Sequence, residues 1–417
     1  MASEHVNLYI NSERLLSRLK ELGEIGRDRH DRLTRLAASD EDKAGRDLLV
    51  TWMKKAGLEV MIDKIGNIFG VWYGSDQNNN APIMIGSHID TVINAGIYDG
   101  CYGVISGLEV ITTLKESGFK PERPIVIAAF TNEEGVRYTP DMMGSLVFAG
   151  GLSLEKALQT RGTDGTKLGE ELKRIGYEGT EKPGFLTPHT FIELHVEQGP
   201  ILDKTGIPVG AVENLQGISW QRITVQGVPN HAGTTPTDMR QDAGHAAAQI
   251  ITYLRKRANM SNGQTVATVG TISFEPNAIN VIPSLAALTV DLRDPDEKRL
   301  QEEESALADY LKDLEEAENV SITSEQLVRF NPVVFDKNIV TLIERAANKR
   351  GLESKRMTSG AGHDAQMMAR ICPTAMIFVP SIEGISHNPE EYTKDHDLAA
   401  GVNVLLDVVS DLIIRCR

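Results

Sequence analysis

The sequence predicts an α/β protein in which a larger, mixed-sheet domain is interrupted by a smaller domain of βαββαβ order. Three observations carry this expectation. Apolar runs such as Pro82–Ile85, Pro124–Phe130, Thr190–His195 and Ala375–Val379 read as buried strands. Stretches with helical spacing alternate with them, the rhythm of a sheet with helices packed on its faces. From about Glu213 to Phe330 the rhythm changes to strand, helix, strand, strand, helix, strand, the ferredoxin-like split unit. The limits read in this way are residues 1–212 and 331–417 for the larger domain and 213–330 for the insert.

The elements follow in order. Asn11 to Arg35 carries charge and leucine at helical spacing. Asp40-Glu41-Asp42 opens a second helix, acidic residues being favourable at a helix N-terminus, with Leu48, Leu49, Trp52 and Met53 on one face and Gly57 at its end. Leu58–Tyr73 alternates as strand, turn, strand, and Asp76–Asn80 is a polar loop. Gly103–Leu114 reads as a helix on the sheet. Within the insert the strands are Trp220–Val228, Thr265–Phe274, Ala286–Asp294 and Val320–Leu327, and the helices Arg240–Arg257 and Leu300–Leu314. Helices Ile339–Lys349 and Asp397–Ile414 return to the first pattern.

Composition narrows the function. A chain of 417 residues exceeds one ordinary core and suits about two domains. Its 41% hydrophobic and 24% charged content is that of a globular protein. A formal net charge of -15 supplies no basic excess to meet phosphates, so neither nucleic acid nor an anionic membrane is expected as a partner. The first ten residues lack a basic stretch followed by an apolar one, and no apolar run approaches the roughly 18–20 residues of a membrane span. Cys101, Cys372 and Cys416 show no metal or disulfide spacing, and an odd count fits reduced thiols. A cytoplasmic location is expected.

The stretch Gly86–Gly100 orders the rest. It delivers His88, Asp90 and Asp99 to the end of a buried strand, where uncompensated polarity costs roughly 2–7 kcal/mol even for a neutral group. A cation explains such a cluster. Glu133-Glu134 ends the next apolar strand; one carboxylate can bind metal while the other, its pKa raised, works as a base. His195 ends a third strand, and His387 lies in the loop after a fourth. Each has a plain reading of its own: Asp99-Gly100 as a turn, the glutamates as an exposed acidic loop, His195 as a core histidine. Together they make three His, one Asp and one Glu without cysteine, a donor set for Zn²⁺, Mn²⁺ or Co²⁺. Five ligands exceed what one tetrahedral zinc needs. Two ions bridged by a carboxylate, roughly 3.5–4 Å apart and sharing an activated water, fit better.

These motifs occur in order with His195-Val-Glu-Gln-Gly199, Asn230-His-Ala-Gly-Thr-Thr-Pro236 and Ser359-Gly-Ala-Gly-His-Asp364. Together they resemble the carbamoylase and allantoate amidohydrolase branch of the co-catalytic metallopeptidase/amidohydrolase superfamily, from roughly Glu41 to the final helix. The resemblance implies a catalytic domain of zinc-aminopeptidase type and an insert that serves as lid and dimerisation domain. It implies His88, Asp99 and His195 as metal ligands with Asp99 bridging, and Glu134 and His387 completing the shell of the second ion. Asp90 would orient His88 and Glu133 would be the general base. His231 would stabilise an oxyanion in the partner subunit's site, Asn280 and Arg293 would hold a substrate carboxylate, and Gln198 would contact the ureido end. Without that context His231 reads as an Asn-His turn and Arg293 as a solvent-facing ion-pair partner. The loop at Gly360 and Ala361 reads either as flexible or as offering N–H groups to the same carboxylate. His363 competes with His387 for its place.

The implied activity is hydrolysis of an N-carbamoyl-L-amino acid to the amino acid, ammonia and carbon dioxide by a homodimer holding two divalent ions. An allantoate amidohydrolase or a β-ureidopropionase would use the same chemistry. Allantoate-specific members resemble this chain but carry arginines where it has Ser219-Trp220, which favours the amino-acid substrate. A dipeptidase or deacylase would use the same metals, and His195 and Gln198 speak against it. A metal-binding module without catalysis is opposed by the presence of Glu133.

Overall fold

The computed structural model describes residues 8–74 and 81–414, so the expected polar loop at Asp76–Asn80 and Cys416 lie outside the described residues. Cys101 and Cys372 are buried free thiols. The chain divides into two compact units, Met1–Glu213 with Phe335–Arg417, and Asn214–Val334. In chain order the strands are β1 (Glu59–Ile62), β2 (Ile68–Trp72), β3 (Ile83–His88), β4 (Ile125–Phe130), β5 (Thr190–Val196), β6 (Val209–Leu215), β7 (Gly217–Gln226), β8 (Val266–Glu275), β9 (Leu285–Asp294), β10 (Ser321–Phe330), β11 (Val333–Val334), β12 (Ser354–Ser359) and β13 (Thr374–Val379).

The larger unit is built on a mixed sheet of order β1-β2-β4-β3-β5-β13-β6, with β12 beside β6. Its centre, β4-β3-β5-β13, is parallel, and the flanking pairs are antiparallel. Every residue of these four parallel strands is buried, which is why they read as unbroken apolar runs rather than alternating ones. Ile83, Ile85, Ile125, Ile127, Ile192 and Ile377 are fully buried there, each worth roughly 1.5–3 kcal/mol. The helix Cys101–Glu116 packs on this sheet so closely that a Cβ on Gly103 would meet the Leu194 carbonyl at 2.5 Å. After β3 the chain builds β4 on one side and then β5 on the other. The strand order therefore reverses at the carboxyl end of β3, where open α/β sheets bind ligands. The registers His88↔Phe130 and His195↔Phe378 keep those strand ends level.

The expected helical stretch from Asn11 to Arg35 is shorter in the structure. The helix Ser12–Gly23 is capped by the Asn11 side chain, and turns follow it. Arg35 is the reason. Fully buried, its guanidinium donates to the carbonyls of Leu22, Ile25 and Ile89 and to Cys101 Sγ, so the segment wraps around it and pins the chain just after His88. The short helices Met143–Phe148, Leu154–Gln159, Leu168–Ile175, Ile201–Thr205 and Asp364–Met368 escaped the sequence reading, as did β6 and β12. Elements of eight residues or fewer without a uniformly apolar run carry too little periodicity to register.

The smaller unit has the order βαββαβ from β7 to β10. Its sheet runs β10-β7-β9-β8, wholly antiparallel. The strict alternation of burial along β9 marks a sheet with one covered face. Ala246 and Ile250 from helix Ala243–Met260, and Leu307 and Leu311 from helix Glu297–Glu318, pack on Ile223, Val225, Leu288 and Val290. Asp242 and Asp296 cap the two helices. Among the described residues no helix is long and apolar enough to cross a membrane.

Candidate metal centre

The carboxyl ends of β3, β4, β5 and β13 bring one cluster together around Asp99. Asp99 Oδ1 lies 3.5 Å from His88 Nε2 and 3.2 Å from His195 Nε2. Asp99 Oδ2 lies 3.3 Å from His387 Nε2, which is 3.4 Å from Glu134 Oε2. Glu133 Oε2 lies 3.4 Å from His88 Nε2. Two groups able to hold a metal result, His88–Asp99–His195 and Asp99–Glu134–His387, each with donor atoms within 4.8 Å of one another, and Asp99 belongs to both.

Local backbone geometry sets these positions. Asp99 precedes the helix Cys101–Glu116, and Gly100 between them has φ +63°. A Cβ on Gly100 would stand 2.3 Å from His88 Nε2, so only glycine admits the imidazole here. After β4, Asn132 takes φ +57° and turns the amides of Glu133 and Glu134 onto Asp90, whose two oxygens accept them at 3.2 and 3.3 Å. His88 Nδ1 donates to the Asp90 carbonyl at 2.9 Å, while the Asp90 carboxylate stands 3.9 Å away. The carboxylate instead braces the turn that carries both glutamates.

The donor chemistry fits divalent cations. His88 Nδ1 and His195 Nδ1 face backbone carbonyls at 2.9 and 2.8 Å, and a carbonyl can only accept. Nε2 of each ring is therefore the atom that faces the carboxylate oxygens, and that of His195 also lies 3.1 Å from the Gly100 amide nitrogen. Glu134 Oε1 is buried without a hydrogen-bond partner. Imidazole nitrogen and carboxylate oxygen arranged this way can hold a divalent metal ion.

The electrostatics report the same tension. Burial pushes Glu133 well above the ordinary glutamate range, with Asp364, Glu134 and Asp99 adding to it against the pull of His88. Burial, then Asp99, pushes Glu134 up to about 8. Burial alone would raise Asp99, but hydrogen bonds from His195, His387 and His88 hold it well below the usual range. The hydrogen bond to Asp99 raises His387 to about 9.

Further candidates lie around this centre. Gln198 donates to Asp99 Oδ2 at 2.7 Å, and its own Oε1 is buried and unpartnered. His363 does not take the place of His387. It hydrogen-bonds Ser359 at 3.1 Å, with its ring 4.5 Å from that of His195, and groups with Glu193 and His195. Gly360 and Ala361 lie between β12 and the helix Asp364–Met368, and the Ala361 N–H already donates to Ser359 Oγ. In the smaller unit His231 and Asn280 are exposed and adjacent: the Ala232 N–H donates to the Asn280 carbonyl, and His231 bridges Val281. Arg293 forks onto Asp291, two residues away on the same face of β9.

Several supporting residues were not legible in the sequence. Glu391 accepts the amides of Tyr98 and Asp99, and the Ser386 hydroxyl lies against both Glu391 and Asp99. Glu193 takes the Ser87 hydroxyl and the Ala365 amide, and Asp364 takes the Ser145 hydroxyl. Each reaches its partner across more than 100 residues, except Ser386 and Glu391 with each other, so no local spacing announces the contact.

Known proteins resemble this chain over nearly its whole length. Residues 84–411 match the peptidase family M20/M25/M40. The N-carbamoyl-L-amino-acid amidohydrolase of Rhizobium meliloti is 38% identical over 409 residues, which cover 98% of each chain. The ureidoglycolate hydrolase of Arabidopsis thaliana is 36% identical over 411 residues, 96% of this chain and 86% of that one. The crystal structure of an amidase of the hydantoinase/carbamoylase family from Burkholderia multivorans superposes with a TM-score of 0.94 at 40% identity, over 97% of this chain and 98% of the other. The chain belongs to peptidase family M20/M25/M40, in its carbamoylase and allantoate amidohydrolase branch.

Proposed function

We propose that the chain is a metal-dependent amidohydrolase that releases the carbamoyl group of N-carbamoyl-L-amino acids, giving the amino acid, ammonia and carbon dioxide. The observation that carries this reading is Asp99, whose two oxygens face two separate histidine-containing groups beside the buried Glu133. His88, Asp99 and His195 would hold one divalent ion and Asp99, Glu134 and His387 a second, from among Zn²⁺, Mn²⁺ and Co²⁺. Bound there, the ions would supply Lewis acidity to the ureido carbonyl and to the attacking water.

The chain's own groups do the rest. Glu133 takes the proton of the attacking water and returns it to the leaving nitrogen, a role for which burial, by raising its pKa above the ordinary glutamate range, makes it a stronger base. Gln198 turns an unpartnered amide oxygen toward the N–H groups of the ureido end. His231 donates to the developing oxyanion, and Asn280 with the planar fork of Arg293 holds the substrate carboxylate. These last roles rest on the family resemblance, as do the homodimer, the lid function of the smaller unit and a cytoplasmic location.

The test is ammonia release by metal-stripped protein reconstituted separately with Mn²⁺, Co²⁺ and Zn²⁺. N-carbamoyl-L-methionine should turn over and its D-enantiomer should not. The 36% identity to a ureidoglycolate hydrolase favours a second reading, in which another ureido acid is the substrate. Preference for ureidoglycolate, allantoate or N-carbamoyl-β-alanine in the same panel would establish it. Hydrolysis of a dipeptide alone would overturn both readings.

A further inference from the structure

We infer that Glu391, acting with Ser386, is the positioning residue that joins the two halves of the metal centre, and that it chiefly governs the ion held by Asp99, Glu134 and His387. This rests on the two-ion reading above. Glu391 is buried at 6% exposure, and both of its carboxyl oxygens are engaged by the loops that carry metal-centre residues. Oε2 accepts the Tyr98 and Asp99 amides at 3.0 and 3.3 Å, which fixes the backbone on which Asp99 rides. Oε1 lies 3.2 Å from the Ser386 hydroxyl, and that hydroxyl is also 3.2 Å from Asp99 Oδ2, the oxygen that faces His387. One proton on Ser386 thus sits between two carboxylates, one belonging to the centre and one to its support.

The surrounding chain is shaped to admit this carboxylate. A Cβ on Gly96 would stand 2.2 Å from Glu391 Oε2, so a larger residue there would expel it. The Glu391 amide donates to the Asn388 carbonyl, closing the turn that follows His387.

The two half-sites do not depend on this clamp equally. His88 and His195 stand on buried strands at 1% exposure and are held by the sheet. His387 has a half-exposed side chain and sits in a loop at φ +54°, a conformation that L residues adopt reluctantly. The Ser386 hydroxyl and Glu391 tie that loop to Asp99. Removing them should loosen the Glu134–His387 half and spare the His88–His195 half.

The experiment is metal titration of the metal-stripped full chain with Co²⁺, followed by calorimetry and by competition with a chromogenic chelator. Wild type, Glu391→Ala, Glu391→Gln and Ser386→Ala are compared. Wild type should bind two ions. Ser386→Ala and Glu391→Ala should bind the tighter ion as wild type does and the weaker one about 10–100-fold less tightly, the usual scale for residues that orient metal ligands. Glu391→Gln should recover much of that loss, because its amide oxygen still accepts from the two main-chain amides. Equal weakening of both ions, or second-ion affinity unchanged in Ser386→Ala and Glu391→Ala, would overturn the positioning role. Should Glu391→Ala fail to fold, Ser386→Ala, which removes a single hydroxyl, decides alone. Wild type binding one ion would instead overturn the two-ion reading and, with it, this inference.

Discussion

In the larger unit His88, His195 and Glu133 are 1%, 1% and 7% exposed and lie at the carboxyl ends of three of the parallel strands, β3, β5 and β4. In the smaller unit His231 and Asn280 are exposed, and Arg293 keeps 26% of its side chain in solvent and is paired with Asp291. The contrast separates two tasks. A metal centre gains from rigidity, since ligands held by a packed sheet lose little entropy when a cation arrives. Groups that recognise a substrate gain from accessibility, and interactions completed only on binding can be directed to the transition state. The larger unit therefore holds its cluster of histidines and carboxylates preformed and buried, whereas His231 and Asn280 of the smaller unit stand exposed.

The strongest way to break this contrast is at the bridge. Asp99→Ala should abolish ammonia release and reduce the bound ions below two, measured by metal content after dialysis; two ions still bound would mean that Asp99 is not shared. Next comes Glu133→Gln, which keeps shape and removes basicity. Its kcat should fall about 10²–10⁴-fold while both ions remain bound. Loss of metal together with activity would move Glu133 from base to ligand. In the smaller unit His231→Ala should lower kcat about 10²–10³-fold with metal binding untouched, the effect of one oxyanion donor. A change in ion affinity would place His231 in the metal centre and erase the division between the units.

The same contrast explains what could be read from sequence. His88, Glu133 and His195 were legible because each follows an apolar run too uniform to be anything but a buried strand, so polarity at its end stands out. The βαββαβ insert was legible for the opposite reason, since a sheet covered on one face writes its alternation into the sequence. What stayed hidden are residues whose function is fixed only by contacts across the fold. Arg35 looked like the last residue of a helix, yet its guanidinium is what ends the helical stretch early. Glu391 lies in Asn388-Pro-Glu-Glu-Tyr392, a turn-like acidic stretch, and only the fold brings it to Tyr98 and Asp99. At Asp90 it is the main-chain carbonyl, not the carboxylate, that hydrogen-bonds His88. Sequence reasoning finds residue types at strand ends; it does not find which of their atoms does the orienting.

The smallest effects sharpen the recognition side. Arg293→Lys should raise KM for the ureido acid about tenfold or more with a smaller change in kcat, because an ammonium cannot present two parallel N–H donors to a carboxylate. An unaltered KM would remove Arg293 from substrate binding and leave it as the partner of Asp291. That pair offers the finer test. Asp291 already presents a carboxylate to the guanidinium, with Arg293 Nη2 at 2.9 Å, so a substrate carboxylate must either displace it or bind beside it. Both side chains are about a quarter exposed, and a pair of that kind is worth roughly 0–1 kcal/mol. If displacement is required, Asp291→Asn should lower KM by up to about fivefold, the equivalent of 1 kcal/mol. If Asp291 instead holds the fork in the geometry that the substrate needs, the same substitution should raise KM. The sign of the change, read from initial rates at saturating metal, tells whether the Arg293 fork is competed for or held ready.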